Sequence, residues 1–133
     1  MKDTIIKVRG YHLDIYKHVN NARYLEFLEE ARWALFDDNG ALELLAQKNW
    51  GFAVVNININ FRRAATVGDI LCVRTQLGDF NQKSGILTQT IRNLKTEKII
   101  TEAQVTYVIL DLNTNRALPL NDEIRTILTR VIS

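Results

Sequence analysis

One long amphipathic run constrains the fold more than any other stretch. From Tyr24 the apolar residues Leu28, Ala31 and Leu35 recur at spacings of three and four, with Leu25 and Phe27 beside them. That is the stripe of a helix laid on a core. Asn20 and Asn21 precede it, and the short amide oxygen of either can accept from an orphaned first-turn N–H. Gly40 is expected to end the helix in a left-handed conformation, which costs glycine least. Leu42, Leu44 and Leu45 predict one or two further turns before Asn49-Trp50-Gly51 breaks the chain.

The remainder reads mostly as strand. Ala53 to Arg63 alternates strictly, with Val55, Ile57, Ile59 and Phe61 on one face and Asn56, Asn58, Asn60 and Arg62 on the other. A period of two this regular does not fit a helix. Asn is a poor strand former, so the second face is expected to meet a polar interface or solvent rather than a second dry core. Ala65 to Asp69 is a turn. Further strands are expected over Ile70 to Leu77, Gly85 to Leu94 and Lys98 to Leu112, with a turn at Gly78-Asp79-Phe80-Asn81. In the last of these strands Ile99, Ala103, Val105, Tyr107 and Ile109 share a face. Asn113-Thr114-Asn115 turns into a short Arg116-Ala117-Leu118 segment ended by Pro119. Asp122 is placed to cap a last helix carrying Ile124, Ile127, Leu128 and Val131. A first strand, Thr4 to Val8, precedes the long helix, with Thr4, Ile6 and Val8 on one face.

Short connections cannot cross over as βαβ units do, so the sheet should be mainly antiparallel. One long apolar helix against such a sheet gives an α+β domain. With 133 residues, 47% of them hydrophobic and 24% charged, the chain suits one compact folded unit. A net charge of +2 with no basic run gives no case for a nucleic-acid partner. No stretch approaches the length of a membrane span, and the N-terminus lacks the apolar core of a signal peptide. The single cysteine, Cys72, cannot form an intrachain disulfide. A cytoplasmic protein is the simplest expectation.

Between the first strand and the helix, the loop carries Tyr11, His12, Asp14, Tyr16, Lys17 and His18. A helix N-terminus gathers unsatisfied N–H groups and about half a unit of positive charge, so it favours an anion or developing negative charge. Asp14 is too far upstream to cap this helix, yet near enough to reach its end in space. His12, Asp14 and His18 could imitate a metal triad. They lack an identifiable fourth ligand and second shell, so neither metal nor cofactor is expected.

Asp14, His18-Val19-Asn20-Asn21, Tyr24 and Glu30-Ala31-Arg32 resemble the signature of the hotdog-fold acyl-CoA thioesterases of the 4-hydroxybenzoyl-CoA thioesterase type. Val55 to Phe61, followed by Arg62-Arg63 and the turn into Gly68-Asp69, is similar to the family's second block. The runs Gly10 to Asp14, His18 to Arg32 and Asn56 to Asn60 look closest to the bacterial long-chain acyl-CoA thioesterases. The resemblance spans nearly the whole chain. One departure is Ala64, where the family often has proline.

The resemblance implies a curved antiparallel sheet wrapped around one central helix. It also implies homodimers paired edge to edge with sites at their interface, assembling into homotetramers. Asp14 aligns with the catalytic carboxylate, as nucleophile or as base that activates water. The resemblance sets the backbone N–H of Asn21 against the thioester carbonyl. His18 is expected to hold the loop by hydrogen bonds, and His12 to serve for positioning. Arg62, Arg63, Lys83 and Ser84 are candidates for coenzyme A phosphates. Tyr24, Phe27, Leu28, Trp33 and Trp50 are candidates for lining an apolar acyl tunnel. Glu30 and Arg32 are expected to pair, locally or across the dimer, or to lie on a solvated helix face. The function implied is hydrolysis of long-chain acyl-CoA to fatty acid and coenzyme A. The alternatives are a short, aromatic or carrier-protein-bound thioester, or an acyl-CoA-binding module without catalysis.

Overall fold

The computed structural model describes residues 1–132 and side chains as far as Arg130. The elements run β1 (Lys2–Lys7), α1 (Asn21–Asn39), α2 (Ala41–Gln47), β2 (Trp50–Phe61), β3 (Ile70–Phe80), β4 (Gly85–Asn93), β5 (Ile99–Asp111), β6 (Arg116–Leu118) and α3 (Asp122–Ile132). All strand pairs are antiparallel, in the order β1-β3-β4-β5-β2, with β6 paired to the end of β5. This is the expected α+β hotdog arrangement, with α1 laid along the inner face of the sheet.

The long helix starts and stops where its sequence dictates. The Asn20 side chain caps it, its Oδ1 accepting from the Ala22 N–H at 2.9 Å. Gly40 ends it at φ 65°, a left-handed conformation suited to glycine. The last helix departs from expectation by one residue. Asn121, not Asp122, supplies the cap, accepting from the Ile124 N–H at 3.0 Å. The apolar position expected at Val131 lies outside the described side chains.

The buried face of α1 divides the core in two. Tyr24, Phe27, Leu28 and Ala31 pack with Val8, Leu71, Val73, Ile91 and Ala103. Leu35 and Phe36 pack with α2, α3, Leu87, Val105, Tyr107 and Ile109. Burying a Leu or Phe completely contributes roughly 1.5–3 kcal/mol, so both ends of the helix are anchored.

Between the clusters lies a buried polar layer. Arg32 Nη1 donates to Gln89 Oε1 at 3.0 Å, and Gln89 Nε2 donates to the Leu28 carbonyl and to Thr75 Oγ1. Arg32 is only 8% exposed, so it does not lie on a solvated face, and among the described residues of the chain it forms no ion pair with Glu30. Its partner Gln89 is 57 residues away in sequence, beyond the reach of local reading. Burial pulls the Arg32 pKa below its ordinary value, opposed by nearby Glu29.

Two strand details also differ from expectation. A β-bulge interrupts β2 between Val54 and Asn56. It takes Val55 out of phase and leaves it 58% exposed, so Phe52 and Val54 precede Ile57, Ile59 and Phe61 in the pattern facing the helix. Gly78-Asp79 is not a turn. β3 continues to Phe80, and the reversal is made at Asn81, whose Oδ1 accepts from the N–H groups of Lys83 and Ser84. On the outer face, Asn58, Gln104 and Thr88 form one cross-strand row, and Asn60, Glu102 and Thr90 another.

Gly85 marks a close approach, since a Cβ there would collide with the ring and hydroxyl of the fully buried Tyr107. Gly85→Ala should therefore cost about 1–3 kcal/mol, as overpacking does. Urea denaturation checks this, with the loss expected in the midpoint and not in the slope.

Candidate active site

The loop before α1 is a tight excursion closed on itself. Leu13 and Val19 form an isolated antiparallel bridge. The Asp14 N–H donates to the His18 carbonyl at 2.8 Å, and the Lys17 N–H donates to the Asp14 carbonyl at 3.0 Å. Lys17 takes φ 63° to complete the reversal. At the mouth of this loop the Asp14 side chain is half-buried. Its Oδ1 accepts from the N–H groups of Tyr16 at 2.8 Å and His18 at 3.3 Å. Two main-chain donors thus orient the carboxylate, and among the described residues no donor reaches Oδ2.

The loop is clamped to the chain leaving β2. The Val19 N–H donates to the Ala65 carbonyl at 2.9 Å, and the Thr66 hydroxyl donates to the Lys17 carbonyl at 2.9 Å. From the helix, the Tyr24 hydroxyl accepts from the buried Ala65 N–H at 2.9 Å. Burial and the charges of Asp69 and Asp14 push the Tyr24 pKa up, so the hydroxyl stays neutral. Asp69 in turn accepts from the Thr66 N–H at 2.9 Å. Hydrogen bonds therefore fix the turn that Ala64 opens, without a proline.

These contacts gather Asp14, His18, Val19, Asn21, Tyr24, Phe61, Arg62, Arg63 and Ala64 around one open cavity of about 300 Å³. Asn21 is the first residue of α1, and among the described residues its N–H has no bonded acceptor. Arg62 pairs with Glu102 at 3.0 Å. Arg63 donates to the Ile99 carbonyl at 2.8 Å and has no carboxylate partner among the described residues. Its charge is thus the less neutralised of the two.

Other candidates differ in role or in place. His18 holds the loop through its main chain, as its imidazole is exposed. Lys83 and Ser84 sit in the β3–β4 turn beside Gly85, which pairs with Tyr107, whereas Phe61 pairs with Thr101 at the other end of the sheet. Within one chain they do not join Asp14. Phe27 and Leu28 are buried in the core, and Trp33 is 51% exposed. Sequence reasoning missed the roles of Thr66 and Ala65. It also missed Phe61 as a cavity wall, 44% exposed against the Tyr24 ring. A strand residue just before two arginines and a turn was the available signal.

His12 faces away from Asp14. Its Nδ1 accepts from the Arg9 N–H at 2.9 Å, and its ring lies edge-on to Phe27. Among the described residues no group of three His, Cys, Asp or Glu is arranged to hold a metal.

A carboxylate and an unsatisfied helix N-terminus sharing a cavity suit acyl-transfer chemistry. The model of the thioesterase-like superfamily matches residues 8–128. The chain belongs to that superfamily. It is 49% identical over 129 residues to the long-chain acyl-CoA thioesterase FadM of Escherichia coli strain K12, covering 97% of this chain and 98% of that one. The crystal structure of YbaW, a probable thioesterase from Escherichia coli, superposes with a TM-score of 0.95 at 48% identity, covering 98% of each chain. Slr0204, a 1,4-dihydroxy-2-naphthoyl-CoA thioesterase from Synechocystis, shares the fold with a TM-score of 0.82 at 18% identity, covering 96% and 94% of the two chains. Thioesterases of this superfamily are hydrolases, and the carboxylate-plus-amide geometry suits that chemistry. Among the described residues no helix is long and apolar enough to cross a membrane.

Burial, with Arg23 nearby, holds the His12 pKa below its ordinary value. The folded state then takes up its proton at lower pH than the unfolded chain, whose His titrates near about 6.5. The stability tied to neutral His12 is present above that value and is lost as pH falls through it. Thermal unfolding between pH 8 and 5 should show a steeper loss in the wild type than in His12→Asn.

Proposed function

We infer that the protein hydrolyses long-chain fatty acyl-CoA to free fatty acid and coenzyme A. One observation carries this reading: the Asp14 carboxylate, with Oδ2 unbonded, and the unpaired Asn21 N–H line the same cavity. Asp14 Oδ2 either attacks the thioester carbonyl or takes a proton from an attacking water. In both routes negative charge develops on the carbonyl oxygen before the C–S bond breaks and the coenzyme A thiolate leaves. The Asn21 N–H and the helix dipole stabilise that charge, and one such donor is worth roughly a hundredfold to a thousandfold in rate. The Tyr24 and Phe61 rings give the cavity an apolar wall for the start of the acyl chain. Arg63 is the better phosphate contact in this chain, with His18 and Arg62 at the rim. The long-chain preference is supported by likeness to FadM.

The working unit in this reading is a homodimer of single-domain chains 1–133, paired along β2. This 12-residue edge strand leaves Val54, Val55 and Phe61 exposed, a surface suited to another strand edge. Antiparallel pairing of two copies of β2 would bring one copy's Trp50 end toward the other's Phe61 end. The partner's Lys83 and Ser84 would then approach the Asp14 cavity, as coenzyme A contacts require. The polar outer face, with Asn58, Asn60, Thr88, Thr90 and Gln104, is a candidate for pairing dimers into a homotetramer. The reading keeps a cytoplasmic location, consistent with a lone buried thiol at Cys72.

Thiol release from palmitoyl-CoA tests the function. The wild type should turn over, and Asp14→Asn should lose about three orders of magnitude in kcat, within the range for a lost acid–base group. Equal rates would move the catalytic group elsewhere, and tight binding without release would leave a binding module.

A further inference from the structure

A second cavity, of about 250 Å³, is lined by Glu29, Arg32, Trp33, Phe36, Leu42, Phe52 and Val54. It lies between the same two elements as the Asp14 cavity, toward the opposite end of each. The Tyr24–Phe61 and Phe36–Phe52 ring pairs span from α1 to β2, at centroid distances of 5.6 and 4.8 Å. Between them β2 turns the half-buried Ile57 and Ile59 inward. From Asn21 to Arg32 the helix rises about 16 Å. A long acyl chain in one leaflet of a bilayer spans about 15 Å, half the hydrocarbon thickness. A chain whose thioester sits at Asn21 would therefore end near Arg32.

A site for a plain methyl terminus would need only apolar walls. Here the wall includes Arg32, a residue only 8% exposed. Only Nη1 is bonded, to Gln89, and no carboxylate lies within ion-pair distance among the described residues. A cation whose remaining donors open on the cavity favours an oxygen acceptor there. Glu29, exposed at the rim, would repel an acid but can accept from a hydroxyl.

We propose that this cavity is a distal acyl subsite in which Arg32 and Glu29 select long chains bearing a hydroxyl near the methyl end. The hydroxyl oxygen accepts from Arg32 and its proton is donated to Glu29, while Trp33, Phe36 and Phe52 surround the neighbouring carbons. The assignment rests on the acyl-CoA reading of the Asp14 site.

Thioether analogues of coenzyme A, which cannot be hydrolysed, separate the two readings. Calorimetry on the full chain would compare hexadecyl-CoA, 16-hydroxyhexadecyl-CoA and 15-carboxypentadecyl-CoA. The wild type should bind the hydroxylated chain about tenfold more tightly than the plain one, as one net hydrogen bond at a part-open site provides. In Arg32→Met the ratio of the two affinities should fall to one or below. Glu29→Gln changes an exposed side chain and so avoids disturbing the core, and it should narrow the ratio. Equal affinities in the wild type, or a ratio unchanged in both variants, would overturn the proposal. Tightest binding of the carboxylated chain would also overturn it, in favour of an anion site. Hydroxyl preference without thiol release from any thioester would keep the subsite and reject the hydrolase.

Discussion

The clamp between the Asp14 loop and the chain leaving β2 is the constraint on which the rest depends. The Val19 N–H to Ala65 carbonyl bond and the Ala65 N–H to Tyr24 hydroxyl bond tie loop, helix and strand end together at 2.9 Å each. Without them Asp14 would sit on a free excursion of polar residues. With them the carboxylate is held beside the first N–H groups of α1. The Ala65 amide is buried, so losing its acceptor costs about 1–3 kcal/mol, which makes the clamp stiff. The proposed mechanism demands that the carboxylate and the helix N–H be held to within about half an ångström.

The remaining architecture supports that arrangement. Two hydrophobic clusters grip the two halves of α1, so the helix cannot slide or roll against the sheet. The layer between them, Arg32 with Gln89 and Thr75, fixes their register by directional bonds. Placing a cation there costs desolvation that packing alone would not require. In the proposed distal subsite it also gives one cavity wall the ability to recognise an oxygen atom.

Much of this was legible in the sequence, for a physical reason. Periods of 3.6 and two survive burial on one face, so α1 and the principal strands are readable from Tyr24 to Leu35 and from Ile57 to Phe61. Local capping chemistry is equally readable at Asn20 and Gly40. The bulge at Val55 escaped because Val54 and Val55 are both apolar, so the sequence pattern shows no break there. Gly78 imitated a turn, yet a Cβ there would lie 2.9 Å from the Ile86 carbonyl oxygen, so glycine serves close strand approach. Arg32 misled because a charged residue on a helix reads as surface until its distant amide partner is known. The candidate site was half legible. Asp14 and Asn21 lie seven residues apart, whereas Phe61, Ala65 and Thr66 join them only through tertiary contacts.

The most direct measurement is a crystal structure of the Asp14→Asn protein with palmitoyl-CoA bound. The account predicts the thioester carbonyl oxygen within about 2.7–3.1 Å of the Asn21 nitrogen, with the residue 14 side chain facing the carbonyl carbon. A thioester bound elsewhere, or a carbonyl turned away from the start of α1, would contradict it.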